Sequence, residues 1–267
     1  NDGLLTLKNV TGELRNSISG KGIVSATART DVELDGDNSR FVGQFNIDTG
    51  SALSVNEQKN LGDASVINNG LLTISTERSW AMTHSISGSG DVVKNGKGEV
   101  VVDLKNSDYT GKTIINEGTL TITNIDNSGR PSALGASNDA DGIQLAGGTL
   151  KINATNMSTD RVINLVSDTS TINVFKQGGS LSLKSITKGN GYLVKDGMGQ
   201  LNFTYGGANT FPGIIVKRGV VAQGAWNATF CKTGGNMTLA GGEVHLINMN
   251  NSSTRPIFNY VTEVQEG

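Results

Sequence analysis

Apolar and polar residues alternate along this chain in short runs. Val100, Val102 and Leu104 form one such set, and Leu120 with Ile122, Leu150 with Ile152, Ile172 with Val174, Leu181 with Leu183 and Val244 with Leu246 form others. A period of two places the apolar members on one face of a β-strand and the intervening Thr, Lys, Asn, Ser and His residues in solvent. Thr121 and Lys151 are read in this way as outward positions that tolerate substitution. Between the runs stand Gly-Gly, Asn-Gly, Asp-Gly and Asn-Glu-Gly, whose glycines supply the conformations that tight turns need. No stretch of about 12 residues keeps a 3.6-residue period, so strands of roughly 3–6 residues with little or no helix are expected.

The runs belong to a larger repeat. Ile86 opens ISGSGDVVKNGKGEVVVDLKNSDYTGKTIINEGTLTI, which ends at Ile122. A copy from Ile186 keeps Gly191, Lys195, Gly197 and Gly199 against Gly90, Lys94, Gly96 and Gly98, each 101 residues on. Another, from Ile18, sets Gly22, Phe41, Gly43 and Gly50 against Gly90, Tyr109, Gly111 and Gly118, each 68 residues earlier. A second module follows each, at Ile67, Leu145 and Leu239, with a Ser/Thr/Arg stretch after it at Ser75, Ser158 and Ser253. Propeller blades recur at a fixed length, whereas a solenoid, whose neighbours meet along one axis only, accepts an added turn. The fold expected is all-β: a right-handed parallel β-helix, or single-stranded solenoid. It forms one domain over 1–267 with internal repeats at approximately 17–85, 86–184 and 185–261.

Composition narrows the function classes. The chain carries 36 Gly but 3 Pro, and 17% charged residues, against usual values of about 7% Gly, 5% Pro and 25% charged. The result is a turn-rich chain with a hydroxyl and amide surface. A net charge of −2 without a basic block speaks against nucleic acid or an anionic membrane as partner. Cys231 stands alone, which excludes an intrachain disulfide and a thiolate-only metal site, and it reads as a small buried hydrophobe. No apolar run of about 18 residues and no charged-then-apolar leader is present, so an exported chain would be a mature or excised piece.

Gly88 and Gly90, Lys94, Gly96 and Gly98, Tyr109-Thr110-Gly111 and Asn116-Glu117-Gly118-Thr119-Leu120 together resemble the passenger-associated transport repeat, also called the autotransporter-associated β-strand repeat. The other copies have drifted. The first has Ala28 and Thr30 in place of Gly96 and Gly98, and the third has Phe211-Pro212-Gly213 and Lys217-Arg218-Gly219-Val220-Val221. The resemblance implies the passenger part of an exported Gram-negative surface protein, whose β-helical repeats aid secretion and outward folding. Any membrane barrel would then lie outside this segment, which itself does not insert.

Catalysis on polysaccharides by a β-helix requires carboxylates converging on one face. Asp31, Asp35 and Asp37 cluster near a turn, as do Asp139 and Asp141, and they read better as solvated turn carboxylates. Ser137–Gly148 fails as a calcium loop because its first position is Ser and its twelfth is Gly. His84 and His245, the two histidines, cannot build a three-histidine zinc site and read as surface or turn residues. Gly88/Gly90 and Gly197/Gly199 lack the third glycine and the helix of a dinucleotide fingerprint. Phe41, Tyr109 and Phe211 share one place in the repeat, which fits either a glycan-binding row or, preferably, a buried stack plugging a corner of the coil. Sequons at Asn153, Asn156, Asn227 and Asn251 carry no glycosylation claim. No catalytic, cofactor-binding or metal residue is assigned. The function expected is a structural stalk and adhesion scaffold at the cell surface or outside it, meeting host glycan, matrix or sister molecules. The alternative is a polysaccharide-processing, pectin-lyase-like β-helix, which would need clustered carboxylates on adjacent coils.

Overall fold

Leu34, Val55 and Ile74 come from three different passes of the chain, yet they lie directly over one another with their side chains inward and buried. Such columns define the architecture in a computed structural model that describes residues 2–225, 228–246 and 261–264. Each pass turns its alternate apolar residues to the interior and pairs its backbone with the passes before and after it. In-register parallel pairing at about 4.8 Å satisfies both at once. The one helical element among the described residues is a 3-10 turn, Gln58–Asn60.

The chain divides into two compact units, Asn1–Thr121 with Gly129–Asp139, and Ile122–Ser128 with Ala140–Gly267. In the first, one sheet stacks Leu4–Lys8, Ile23–Thr27, Gln44–Ile47, Ser65–Asn68 and Ile86–Ser87. A second stacks Thr11–Leu14, Asp31–Leu34, Ala52–Val55, Leu71–Ser75, Asp91–Asn95 and Thr113–Ile115, and Trp80–Met82 pairs with Glu99–Val102 on a third face. In the second unit the sheets are Ile143–Leu145, Ile163–Leu165 and Thr187–Gly189; Thr149–Ile152, Thr169–Val174, Tyr192–Asp196, Gly213–Val216, Asn236–Leu239 and Val261–Val264; and Asn156–Thr159, Ser180–Leu183, Gln200–Phe203, Val220–Gln223 and Glu243–His245. Every strand pairing described is parallel, so each unit is a parallel β-solenoid.

The coil and the sequence repeat have different periods. Val24 stacks on Phe45, Phe45 on Val66 and Val66 on Ile86, so the column returns after 62 residues, from 24 to 86. The repeat partner of Val24 is Val92, six residues further on, which belongs to the next face. Within the first unit the two copies of the repeat are therefore displaced by one face of the coil.

Most of the alternating positions are inward and buried: Val100, Val102, Leu120, Ile122, Leu150, Ile152, Ile172, Val174, Leu181 and Leu183. Each contributes about 1.5–3 kcal/mol of apolar burial. Leu104 departs from the expectation because the strand ends at Val102, leaving it half-buried. Val244 stacks on Val221 but is half-buried, and Leu246 is exposed beyond the end of Glu243–His245. Thr121, expected to point outward, is 1% exposed, and its hydroxyl meets the Glu99 carboxylate at 2.5 Å. In Thr119–Ile122 the last three residues are all buried, so Thr121 is covered rather than solvated, and it meets Glu99, which stands at an outward position of Glu99–Val102. Ser253, Asn227 and Asn251 lie outside the described residues.

Candidate functional site

Lys94 and Lys195 are the residues that sequence reasoning passed over. Period two puts Lys94 inward with Val92, in a column that runs Leu34, Val55, Ile74, Lys94, Ile115. Lys195 likewise follows Leu150 and Ile172 and precedes Val216. Their relative exposures are 1% and 0%. The aliphatic stems continue the apolar stack, and the ammonium groups turn into the glycine corner that follows. Lys94 Nζ donates to the carbonyls of Asn95 at 2.7 Å, Gly96 at 2.6 Å and Glu117 at 3.2 Å. Lys195 Nζ donates to Asp196 and Gly197 at 2.8 Å and to Arg218 at 2.9 Å.

An ammonium has three donors, and each cage fills all three. Burial disfavours the charge, holding Lys94 below the ordinary lysine range and bringing Lys195 down to about 8, while the carbonyls favour it. A lysine near 8 suits nucleophilic chemistry only where substrate reaches the nitrogen. With no exposed surface and its donors spent on backbone, Lys195 acts as a tie between coils.

The glycines around these cages are required for two reasons. Gly96 and Gly118 adopt φ of +72° and +66°, in the left-handed region. Gly98 and Gly111 do not, but a Cβ on either would run into the Arg78 or Gly90 carbonyl of the coil beneath. In the first copy Ala28 takes φ +53° without glycine, and Thr30, which stands where Gly98 does, is buried with its hydroxyl on the Leu7 and Thr27 carbonyls.

A buried polar side chain just ahead of each repeat aromatic accepts a backbone N–H near the start of that copy. Asn38 Oδ1 takes Ile18 at 2.7 Å, Ser107 Oγ takes Ile86 at 3.2 Å and Asn209 Oδ1 takes Thr187 at 2.7 Å. The aromatics themselves are buried, but each has its own local partner. Phe41 packs edge-on to Phe45 with centroids 5.0 Å apart, Phe211 lies 6.4 Å from Phe203, and the Tyr109 hydroxyl bonds Thr113 at 2.6 Å. Burial removes them from any glycan-binding row.

Glu33, Asp35, Glu57 and Glu77 of the first unit line one open pocket with Asn56 and Arg78, whereas Asp31 and Asp91 stand too far apart to act as a hydrolytic pair. Asp31, Ala52, Leu71 and Asp91 share one column, which places Asp31 and Asp91 three coils apart, about 14 Å at the usual strand spacing. That exceeds the roughly 5–9.5 Å of glycosidase pairs, and Asp91 Oδ1 already accepts the Lys112 N–H at 2.7 Å. Asp35 lies 3.9 Å from Arg15, and Asp37 is held below its ordinary value by the hydroxyl and N–H of Ser39. Glu33 accepts from Asn56, and Glu57 pairs with Lys59 at 3.0 Å. Asp139 is exposed in the first unit, whereas Asp141, in the second, binds Lys188 at 2.8 Å.

His84 corrects the sequence expectation. It is 4% exposed, with Nε2 2.6 Å from the Gly62 carbonyl, because the coil folds the segment after Trp80–Met82 over that turn. His245 is exposed and faces Glu243 at 3.1 Å. Cys231 is buried, and burial pushes its thiol up to about 11. Among the described residues no three His, Cys, Asp or Glu side chains are grouped to hold a metal, and no helix is long and apolar enough to cross a membrane.

No family model matches the chain, and no solved structure matches it. Among curated relatives it is 86% identical over 115 residues to the uncharacterized lipoprotein YdeK of Escherichia coli K12, covering 43% of this chain and 9% of that one. It is 35% identical over 121 residues to the adhesin BmaC autotransporter of Brucella suis, covering 45% of this chain and 4% of the other. To YuaQ, also of Escherichia coli K12, it is 32% identical over 72 residues, 27% of this chain and 5% of the relative. The chain thus spans less than a tenth of the length of these relatives.

Proposed function

We propose that this chain is a segment of the surface-displayed passenger of an exported Gram-negative protein, serving as a β-solenoid stalk and adhesion scaffold without enzymatic activity. The likeness to an adhesin autotransporter, in a chain built as parallel coils, carries this reading. The lipoprotein relative points to the same cell envelope. A further role in secretion follows from the coil itself. Each finished coil presents an edge of unpaired backbone groups on which the next coil can form, so folding proceeds as the chain emerges. Caged lysines and inward asparagines tie each coil to its neighbour during that growth.

The test places an epitope at the exposed turn containing Gly178, in the full-length gene, and probes intact cells with antibody and external protease. Labelling and cleavage on intact cells, together with loss of adhesion to host cells when the segment is deleted, are expected. Labelling only after lysis would overturn the reading.

A further inference from the structure

The second unit carries an exposed apolar pair on a corner that is otherwise cationic. Phe175 and Met198 are 51% and 53% exposed. Asn173 pairs with Asp196, and Phe175 and Met198 each follow that pair by two residues, so they stand on adjacent coils at the same corner. Lys151 Nζ lies 4.5 Å from the centroid of the Phe175 ring. Lys151 stacks on Asn173, and Lys217 directly follows Val216, the partner of Lys195, so Lys151, Asn173, Asp196 and Lys217 form one outward column. Lys176 and Arg218 flank it, both exposed. Asp196, the single carboxylate of these corner segments, is engaged by Arg218 Nε at 2.6 Å and Nη2 at 2.8 Å.

We propose that this corner is a docking site for an acidic polysaccharide, with Phe175 as the platform for a pyranose face and Lys176 and Lys217 as the partners of its carboxylate or sulfate groups. The C–H-rich face of a sugar packs on an aromatic ring by dispersion and by attraction to its negative face. Lys176 and Lys217 stand on coils two steps apart, about 10 Å at the usual strand spacing, and can meet charges that recur along a linear polymer. A bilayer fits less well, because one ring and one thioether on a rigid wall offer little to insert. The site depends on the surface reading only for access to its ligand. Binding by the purified chain and display on cells can therefore fail separately.

The experiment measures retention of the purified chain on immobilised dextran sulfate and on neutral dextran, with phosphatidylglycerol vesicles and duplex DNA as further arms. Binding to dextran sulfate alone is expected, weakened at least tenfold in the Lys176→Gln/Lys217→Gln double variant and at least threefold in Phe175→Ala. A Lys8→Gln/Lys21→Gln variant, which removes the same charge from the first unit, should bind as the parent does. Thermal melts establish that each variant is folded, and Lys217→Gln alone, a change at an exposed side chain, serves if the double variant is not. Absence of retention, equal binding to neutral dextran, equal loss in the first-unit control, or tighter binding to vesicles or DNA would overturn the proposal.

Discussion

Lys94 Nζ donates to the Glu117 carbonyl, 23 residues further along the chain, at 3.2 Å. One side chain so joins the glycine corner of its own coil to that of the next. Lys195 repeats the arrangement with Arg218 at 2.9 Å.

Replacing Lys94 or Lys195 by Met keeps the stem and removes three donors, leaving buried carbonyls short of partners. Each change should destabilise the chain by about 1–3 kcal/mol. Denaturant titration is the check, and parental or greater stability in both variants would show that the cages are dispensable.

The Lys195 cage also sets a pH response. The ammonium titrates near 8 in the folded chain and at the ordinary 10.5 when unfolded. Below about 8 both states hold the proton. Between about 8 and 10.5 the unfolded chain holds a proton that the folded chain has released, so the contribution of this group to stability rises with pH, by up to about 3 kcal/mol. Unfolding midpoints of the parent measured from pH 7.5 to 10 should climb relative to those of Lys195→Met. A parallel pair of curves would contradict the assignment.

Substitutions around the second repeat should separate sharply. Gly96→Val forces a branched side chain into the left-handed region and against Thr76, and should lose roughly 3 kcal/mol or more. Gly98→Val, Gly111→Val and Gly118→Val should also be clearly destabilised. Thr121→Val removes the hydrogen bond to the Glu99 carboxylate and should lose about 1 kcal/mol, whereas Lys151→Gln should stay within about 0.5 kcal/mol. Equal melts across the set would mean that the glycines only fill loops.

Cys231 should react with a thiol reagent only on unfolding, since it is buried and its thiol is pushed up to about 11. Labelling at neutral pH with and without denaturant measures this. Rapid modification of the native chain would place the thiol at the surface.

Alternation and glycine spacing in the sequence determined the parallel solenoid, because two-residue periodicity and turn chemistry are local. They also determined the inward sets such as Leu150 with Ile152 and Leu181 with Leu183. The same parity, applied to Lys94 and Lys195, already marked them as inward, but a charge on the buried face is readable only once a cage of carbonyls is seen to offset its desolvation. One carbonyl of each cage comes from another coil, 23 residues away. Tertiary structure alone decided that Thr121 and His84 are buried, the one against Glu99 of another coil and the other against the Gly62 carbonyl. It decided as well that Val24 and Val92 occupy different faces, because 62 residues, not 68, close three coils in the column of Val24. The corner of Phe175 and Met198 arises in the same way: residues 23 apart in sequence become neighbours only through the register of Asn173 with Asp196.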